Sequence, residues 1–364
     1  MTISEFIKSV EKDFPLAYQE TYDNSGYQLS FSKNEITGIL LTLDVNLSVI
    51  NEAIQKKCNL IISHHPLFFK PVKTIQAHSA QGDIIIKAIQ HEISLYSMHT
   101  CFDNSWNGTN RILADLFNLE KVKLIEPKKG LLKKLVTFVP VEYADKVRNA
   151  VFKVGAGYIG NYDSCSYNST GFGTFKANEN CQPFVGEVGE LHQEKELRIE
   201  TIFPSYLQST IINALKAAHP YEEVAYDIYP LENEHPQIGT GMTGYLHKPM
   251  PQQDFLSFVK EKLSCTILRT SKCQKQLIHK VAVCSGSGSS LISLIHASQV
   301  DAYITADIKY HDFVDCPSDL LLIDAGHYET EILFSKKILN IIQKKNCTFA
   351  VHLSENSINP VNYY

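Results

Sequence analysis

Imidazole and carboxylate side chains gather at three points of this chain, each directly after a short apolar run. NLIIS (59–63) leads into His64, His65 and Pro66, and SLYSM (94–98) leads into His99, Thr100 and then Asp103. DLLLIDA (319–325) leads into Gly326, His327, Tyr328, Glu329, Thr330 and Glu331. Adjacent imidazoles just past a strand leave the backbone in different directions, so His64 and His65 can serve two ions, or one ion and one carboxylate. Pro66 stiffens the chain behind them. His327 and Glu331 stand at i and i+4, on one face of a helix opened by Gly326, and can reach one ion together. Each residue taken singly has a plainer use. A lone histidine after a strand is usually a loop residue, Asp103 suits a turn or a helix cap, and Glu331 suits a solvated helix face. Their conjunction points to a metal site. Two or three histidines with two carboxylates suit a borderline divalent ion such as Zn²⁺, Mn²⁺ or Fe²⁺. The thiol of Cys101 lies in the same loop and is the weaker ligand candidate. Five ligands would nearly close one ion. Two ions sharing a carboxylate keep open positions for water and substrate, as two-metal hydrolysis requires.

The elements that must position these residues follow the rhythm of an α/β domain. ITGILLTLDV (36–45) predicts a buried strand, and the next segment predicts a helix with Leu47, Ile50 and Ile54 on one face. NLIIS, the helix-like GDIIIKAIQHE (82–92) and SLYSM continue the alternation. It returns near the C-terminus in HKVAVCS (279–285), AYITA (302–306), DLLLIDA and CTFAVHLS (347–354), with a helix that lines up Phe334, Ile338, Ile341 and Ile342. We therefore expect a main domain of two α/β halves, 1–125 and 238–364, around a largely parallel sheet whose strand ends deliver the ligands to one crevice.

Between the halves the pattern changes. KVKLIEPKKGLLKK (121–134) reads as a solvated linker rather than a phosphate contact. KLVTFVP then meets a helical pattern, as ELRIETIFP does later, and Pro140 and Pro204 stand where each strand gives way to its helix. With EEVAYDIYPL closing the segment, two βαβ-like halves predict an inserted ferredoxin-like α+β domain over 130–234.

The chain has 364 residues, with 34 Lys+Arg against 39 Asp+Glu and a formal charge of −5. Such a balance provides no global field for a polyanion, which argues against bulk nucleic-acid binding. No apolar run approaches the roughly 20 residues that cross a bilayer, so no membrane partner is expected. The start, MTISEFIKSVEKDF, reads as a charged amphipathic segment rather than a signal peptide. The 9 cysteines form no CxxC pair, and we expect them reduced in a cytoplasmic protein.

YDNSG (22–26), LDVNLSVINEAI (43–54), ISHHPLFF (62–69), HTCFDN (99–104), ITADIKYHD (304–312) and GHYETE (326–331) together resemble the Nif-three-like family, many of whose bacterial members carry the name GTP cyclohydrolase 1 type 2 homologue. GAGYIGNYDSCSY (155–167) and HPYEEVAYDIYPLEN (219–233) resemble the PII-like insert of longer members. The resemblance implies two divalent ions per subunit on His64, His65, Asp103, His327 and Glu331, with Glu331 bridging, His65 and Asp103 on one ion, and His64 and His327 on the other. It implies that His99 lines the same pocket, and that the chain forms a toroidal homohexamer whose sites face an inner cavity, capped by the PII-like inserts. NSWNGTN after Asp103 departs from the glycine-rich GGVND of many members, which bears on loop shape.

The activity expected is hydrolysis of a nucleotide or other phosphorylated small molecule, with His99 as general acid/base and Lys309 and His311 holding the charged end of the substrate. A structural hydrogen-bond role suits Lys309 and His311 equally. The family name implies opening of the GTP purine ring; phosphate-ester hydrolysis is an equally natural use. SGSGSS (285–290) reads either as amides for a phosphate or as a tight turn, and it lacks the Lys-Ser/Thr of a P-loop. The alternative from another class is a metal-binding regulatory or metal-handling protein with the PII-like insert as sensor.

Overall fold

The structure, a computed structural model, describes residues 1–345 and 348–364. Cys347, and with it the start of the CTFAVHLS run, lies outside the described residues. The chain divides into two compact units, one of Met1–Glu126 with Gln237–Tyr364 and one of Pro127–Pro236.

The first unit holds two sheets where one was expected. In the five-stranded sheet the order is Gly26–Leu29, Ser94–Ser97, Leu60–Ser63, Gly38–Thr42, Ala350–Leu353. All neighbours are parallel except the Gly26–Leu29 edge, which runs antiparallel to Ser94–Ser97. In the six-stranded sheet the order is Arg269–Thr270, Leu321–Asp324, Ala302–Ala306, Leu277–Ser287, Gly239–Pro251, Glu120–Pro127. Its strands Leu321–Asp324, Ala302–Ala306 and Leu277–Ser287 are mutually parallel; Arg269–Thr270 and Gly239–Pro251 add antiparallel. The expectation of one largely parallel sheet is thus corrected to two mixed sheets. An apolar run reports that a strand is buried on both faces, as Gly38–Thr42, Leu60–Ser63 and Ala302–Ala306 are at every residue. It says nothing about the direction of the polar edge strand beside it.

Local signals account for the helices. Asn46 caps Leu47–Gln55 by accepting from the Val49 amide, and Ser79 caps Ala80–Gln90 by accepting from Gly82. In the first of these the inward face is Val49, Ile50 and Ala53, while the expected Leu47 is 39% exposed in the opening turn. Phe334, Ile338 and Ile342 of the helix Leu333–Gln343 enter the core shared with Phe6, Ile39, Leu60 and Phe102, so the C-terminal segment packs on the N-terminal sheet.

The second unit has the order strand Leu132–Pro140, helix Ala144–Lys153, strands Tyr167–Lys176 and Leu191–Pro204, helix Gln208–Ala218, strand Tyr226–Leu231. Its sheet order, Tyr167–Lys176, Leu191–Pro204, Leu132–Pro140, Tyr226–Leu231, with all neighbours antiparallel, is the ferredoxin-like arrangement. Leu135, Val139, Val147, Ile199, Phe203 and Ile211 form a core of its own. Pro140 and Pro204 each end a strand in extended backbone and precede a 3-10 turn, one residue outside the helical position expected for them. The lysine-rich stretch is not a solvated linker. Most of it is strand, ending Glu120–Pro127 and opening Leu132–Pro140, because lysine stems tolerate a sheet's exposed face while Leu124 and Leu135 supply the buried one.

Candidate metal centre

The parallel ladder of the first sheet continues through both adjacent histidines. His64 donates its amide to the Thr42 carbonyl at 3.2 Å and His65 to the Leu43 carbonyl at 3.0 Å. Ser97 and Ser63 hydroxyls donate to the His64 and His65 carbonyls, at 2.7 and 2.8 Å, so the two rings leave a backbone held on both sides. His99 opens the short helix Thr100–Asp103, where the Asp23 carboxylate accepts from the Thr100 amide and hydroxyl. Across from these, Gly326 at φ +91° turns the chain after Leu321–Asp324 into the helix His327–Glu331; a side chain at Gly326 would strike the Glu329 carboxylate.

Four imidazoles are oriented alike. The Nδ1 of His64 is 3.0 Å from the Met98 carbonyl, that of His65 2.8 Å from Asp44, that of His99 2.7 Å from Asp23, and that of His327 2.7 Å from Asp307. Carbonyls and carboxylates only accept, so each Nδ1 carries the proton and each neutral ring keeps its lone pair on Nε2. Outer partners of this kind set the tautomer of metal-binding histidines. Glu331, 3% exposed, lies among the Nε2 atoms: its Oε2 is 3.0 Å from both His65 and His327, and its Oε1 is 3.6 Å from His64. The Asp103 Oδ1 is 3.7 Å from His64 Nε2 and accepts from the Thr109 hydroxyl. Ligand atoms of His64, His65 and His99 fall within 4.8 Å of one another, as do those of His65, His327 and Glu331. His64 Nε2 thus lies near Asp103, and His65 Nε2 is 3.2 Å from His327 Nε2.

The charges are arranged accordingly. Burial opposes ionisation of Glu331, but His64, His327 and His65 hold its carboxyl well below the usual range. Burial likewise opposes charge on His65, yet Asp44 and Glu331 raise it to about 10; His327, flanked by Glu331 and Asp307, rises to about 9. Burial pushes the Asp103 carboxyl up. His64 Nε2 and Glu331 Oε2 are buried with no hydrogen-bond partner among the described residues. The imidazoles 3.0 Å from Glu331 Oε2 meet it as charge neighbours, not as aligned donors. Such orphaned groups call for an occupant. The nitrogen and oxygen donor set suits a borderline divalent ion, so the residues fit the metal that the sequence implies.

Lys309 and His311, expected at the charged end of a substrate, are exposed at the start of the helix Tyr310–Val314. The thiol of Cys101 is buried, pushed up to about 12 by that burial, and outside both ligand groups. SGSGSS spans the irregular end of the strand Leu277–Ser287 and the start of a 3-10 helix: Gly286, at φ +58°, lies so close to Glu331 that a Cβ would be 2.2 Å from Oε1, and its amide donates to Thr330. Asp44 and Asp307 were missed as ring-holding residues. Both stand just past parallel strands, Gly38–Thr42 and Ala302–Ala306, so the same strand-end reasoning reaches them. A cavity of about 500 Å³ lined by Asp23, Asn24, Phe69 and Lys70 opens beside the cluster, with Phe69 edge-on to His99 at 5.3 Å.

With this geometry in hand, likeness to known proteins is informative. The chain is 37% identical over 364 residues to the GTP cyclohydrolase 1 type 2 homolog of Bacillus subtilis (strain 168), covering 99% of this chain and 98% of that one. It is 38% identical to the protein of the same name from Halalkalibacterium halodurans, covering 90% and 88%. The crystal structure of a Bacillus cereus protein related to NIF3 superposes with a TM-score of 0.88 at 35% identity, covering 100% of this chain and 99% of that one. The profile of the Duf34/NIF3 (NGG1p interacting factor 3) family matches residues 1–360, and the chain belongs to that family.

Proposed function

We propose that the chain is a dinuclear divalent-metal-dependent hydrolase of a nucleotide or another phosphorylated small molecule. The observation that carries this reading is the pair of buried, unpartnered atoms, His64 Nε2 and Glu331 Oε2, inside a ring of imidazoles whose Nδ1 atoms are all engaged outward. His64, Asp103 and Glu331 would hold one ion, and His65, His327 and Glu331 the other. Divalent ions in such a site lower the pKa of water and neutralise charge on a phosphoryl or developing oxyanion. Asp23 fixes the His99 ring so that its Nε2 can take or return a proton. The cavity beside Asp23 and Phe69 would seat the organic part of the substrate, with Lys70 on its wall and Lys309 and His311 left to its charged end. Ring opening of GTP, supported by the relatives' name, and phosphate-ester hydrolysis both require this attack by water. The same reading takes the chain as a cytoplasmic homohexamer with a PII-like insert, supported by the family resemblance and by the cysteines of the described residues, which are free.

The test is to purify the protein without chelator, count divalent ions per chain, and screen nucleotides and phosphoesters with the wild type and Glu331→Gln. About two ions and turnover, both lost in a folded variant, support the hydrolase. Metal binding without turnover would favour a metal-handling or regulatory protein, a reading that gains from the separate cavity in the Pro127–Pro236 unit. Failure to bind Zn²⁺, Mn²⁺ or Fe²⁺ would sink both.

A further inference from the structure

The Pro127–Pro236 unit contains a cavity of about 600 Å³, within the size range of small-molecule sites. Its floor is a buried carboxylate. Glu196, on the strand Leu191–Pro204, is 8% exposed, and its Oε1 accepts from the Tyr221 hydroxyl at 2.8 Å. No cation lies within ion-pair distance of it among the described residues, so one neutral donor is all that offsets its desolvation. Tyr221 stands between Phe175 and Phe184, with ring centroids 6.3 and 6.2 Å away, and Phe138 completes the apolar wall. At Gly173 a Cβ would fall 2.3 Å from Glu196 Oε2, so the absence of a side chain there keeps the second carboxylate oxygen approachable. Glu222 and Glu223 also line the cavity; of its two basic residues, Arg198 is engaged with Glu200 at 3.0 Å.

We propose that this cavity binds a small organic cation, its ammonium group seated on Glu196 and its apolar part among Phe138, Phe175, Phe184 and Tyr221. A buried carboxylate short of partners gains most from a cation, and the faces of aromatic rings attract the same charge. A carboxylate or phosphate ligand would instead meet Glu196 with like charge. Neither the metal centre nor its chemistry is involved, so the inference is independent of the hydrolase reading.

The test uses the full chain at pH 7 in the presence of a chelator, with benzylamine as the cation and benzyl alcohol as its neutral counterpart, measured by calorimetry or ligand-detected NMR. Benzylamine should bind saturably, one per chain, about tenfold or more tighter than benzyl alcohol, and Glu196→Gln should erase that difference. Glu331→Gln should leave it unchanged, which separates this cavity from the imidazole cluster. Should Glu196→Gln not fold, Gly173→Ala, which crowds the carboxylate with one methyl, should weaken benzylamine by a similar factor. Equal affinities for the two probes, no saturable binding, or cation binding indifferent to the Glu196 and Gly173 substitutions would overturn the proposal.

Discussion

The four imidazoles differ in what holds them, and those differences have measurable consequences. Asp44 and Asp307 keep the Nδ1 protons of His65 and His327 in place, so Asp44→Asn and Asp307→Asn should each weaken divalent-ion affinity about 10–100-fold with the fold intact, read by chelator competition. Acid acts on the same atoms. His65, raised to about 10, and His327, raised to about 9, are both protonated at neutral pH in the metal-free chain, and an ion must displace those protons. Affinity should therefore rise steadily from about pH 6 to about pH 8; a flat profile in a competition titration would show that these rings are not ligands. His64, His99 and His327 were readable as strand-end donors from type and position. Their outer carboxylates were less so, because Asp44 and Asp307 become significant only once a ring 21 or 20 residues away turns toward them.

Among the elements, the irregular last residues of the strand Leu277–Ser287 and the C-terminal segment carry the constraints that local sequence hides. Gly286→Ala places a methyl against Glu331 in a left-handed backbone, and we expect it to cost about 1–3 kcal/mol in denaturant unfolding and to lower metal content. The C-terminal segment is clamped by Glu52 in the helix Leu47–Gln55. Glu52 accepts from the Ser354 hydroxyl at 2.7 Å, the Glu355 amide at 3.0 Å, the Asn356 side chain at 2.9 Å and Lys56 at 2.7 Å. Burial opposes its charge, but Lys56, Ser354 and the Glu355 amide lower its pKa to about 2. A lowered carboxylate pKa means stability that is full above the unfolded value and lost as pH falls toward about 2. Glu52→Gln should thus cost about 2 kcal/mol at pH 7, and the gap to wild type should close between about pH 5 and pH 2.

For the whole molecule, two units with separate cores predict separable unfolding. The imidazole cluster lies wholly within the unit formed by Met1–Glu126 and Gln237–Tyr364. A divalent ion at about 100 times its dissociation constant should stabilise that unit by about 2.7 kcal/mol and leave the Pro127–Pro236 unit unmoved. Scanning calorimetry with and without Zn²⁺ should show one transition shift and the other stay; a common shift would show that the units unfold together.

Local sequence was enough for the donor types, the strands that end in them and the family to which the chain belongs, because strand burial and ligand chemistry are local properties of NLIIS-His64-His65, SLYSM-His99 and DLLLIDA-Gly326-His327. Long-range packing fixed the rest. It split one expected sheet into two mixed ones and turned a lysine-rich linker into strands. Which imidazole meets which carboxylate is a distance between residues such as His65 and His327, 262 positions apart, and no periodicity within a segment encodes such a distance.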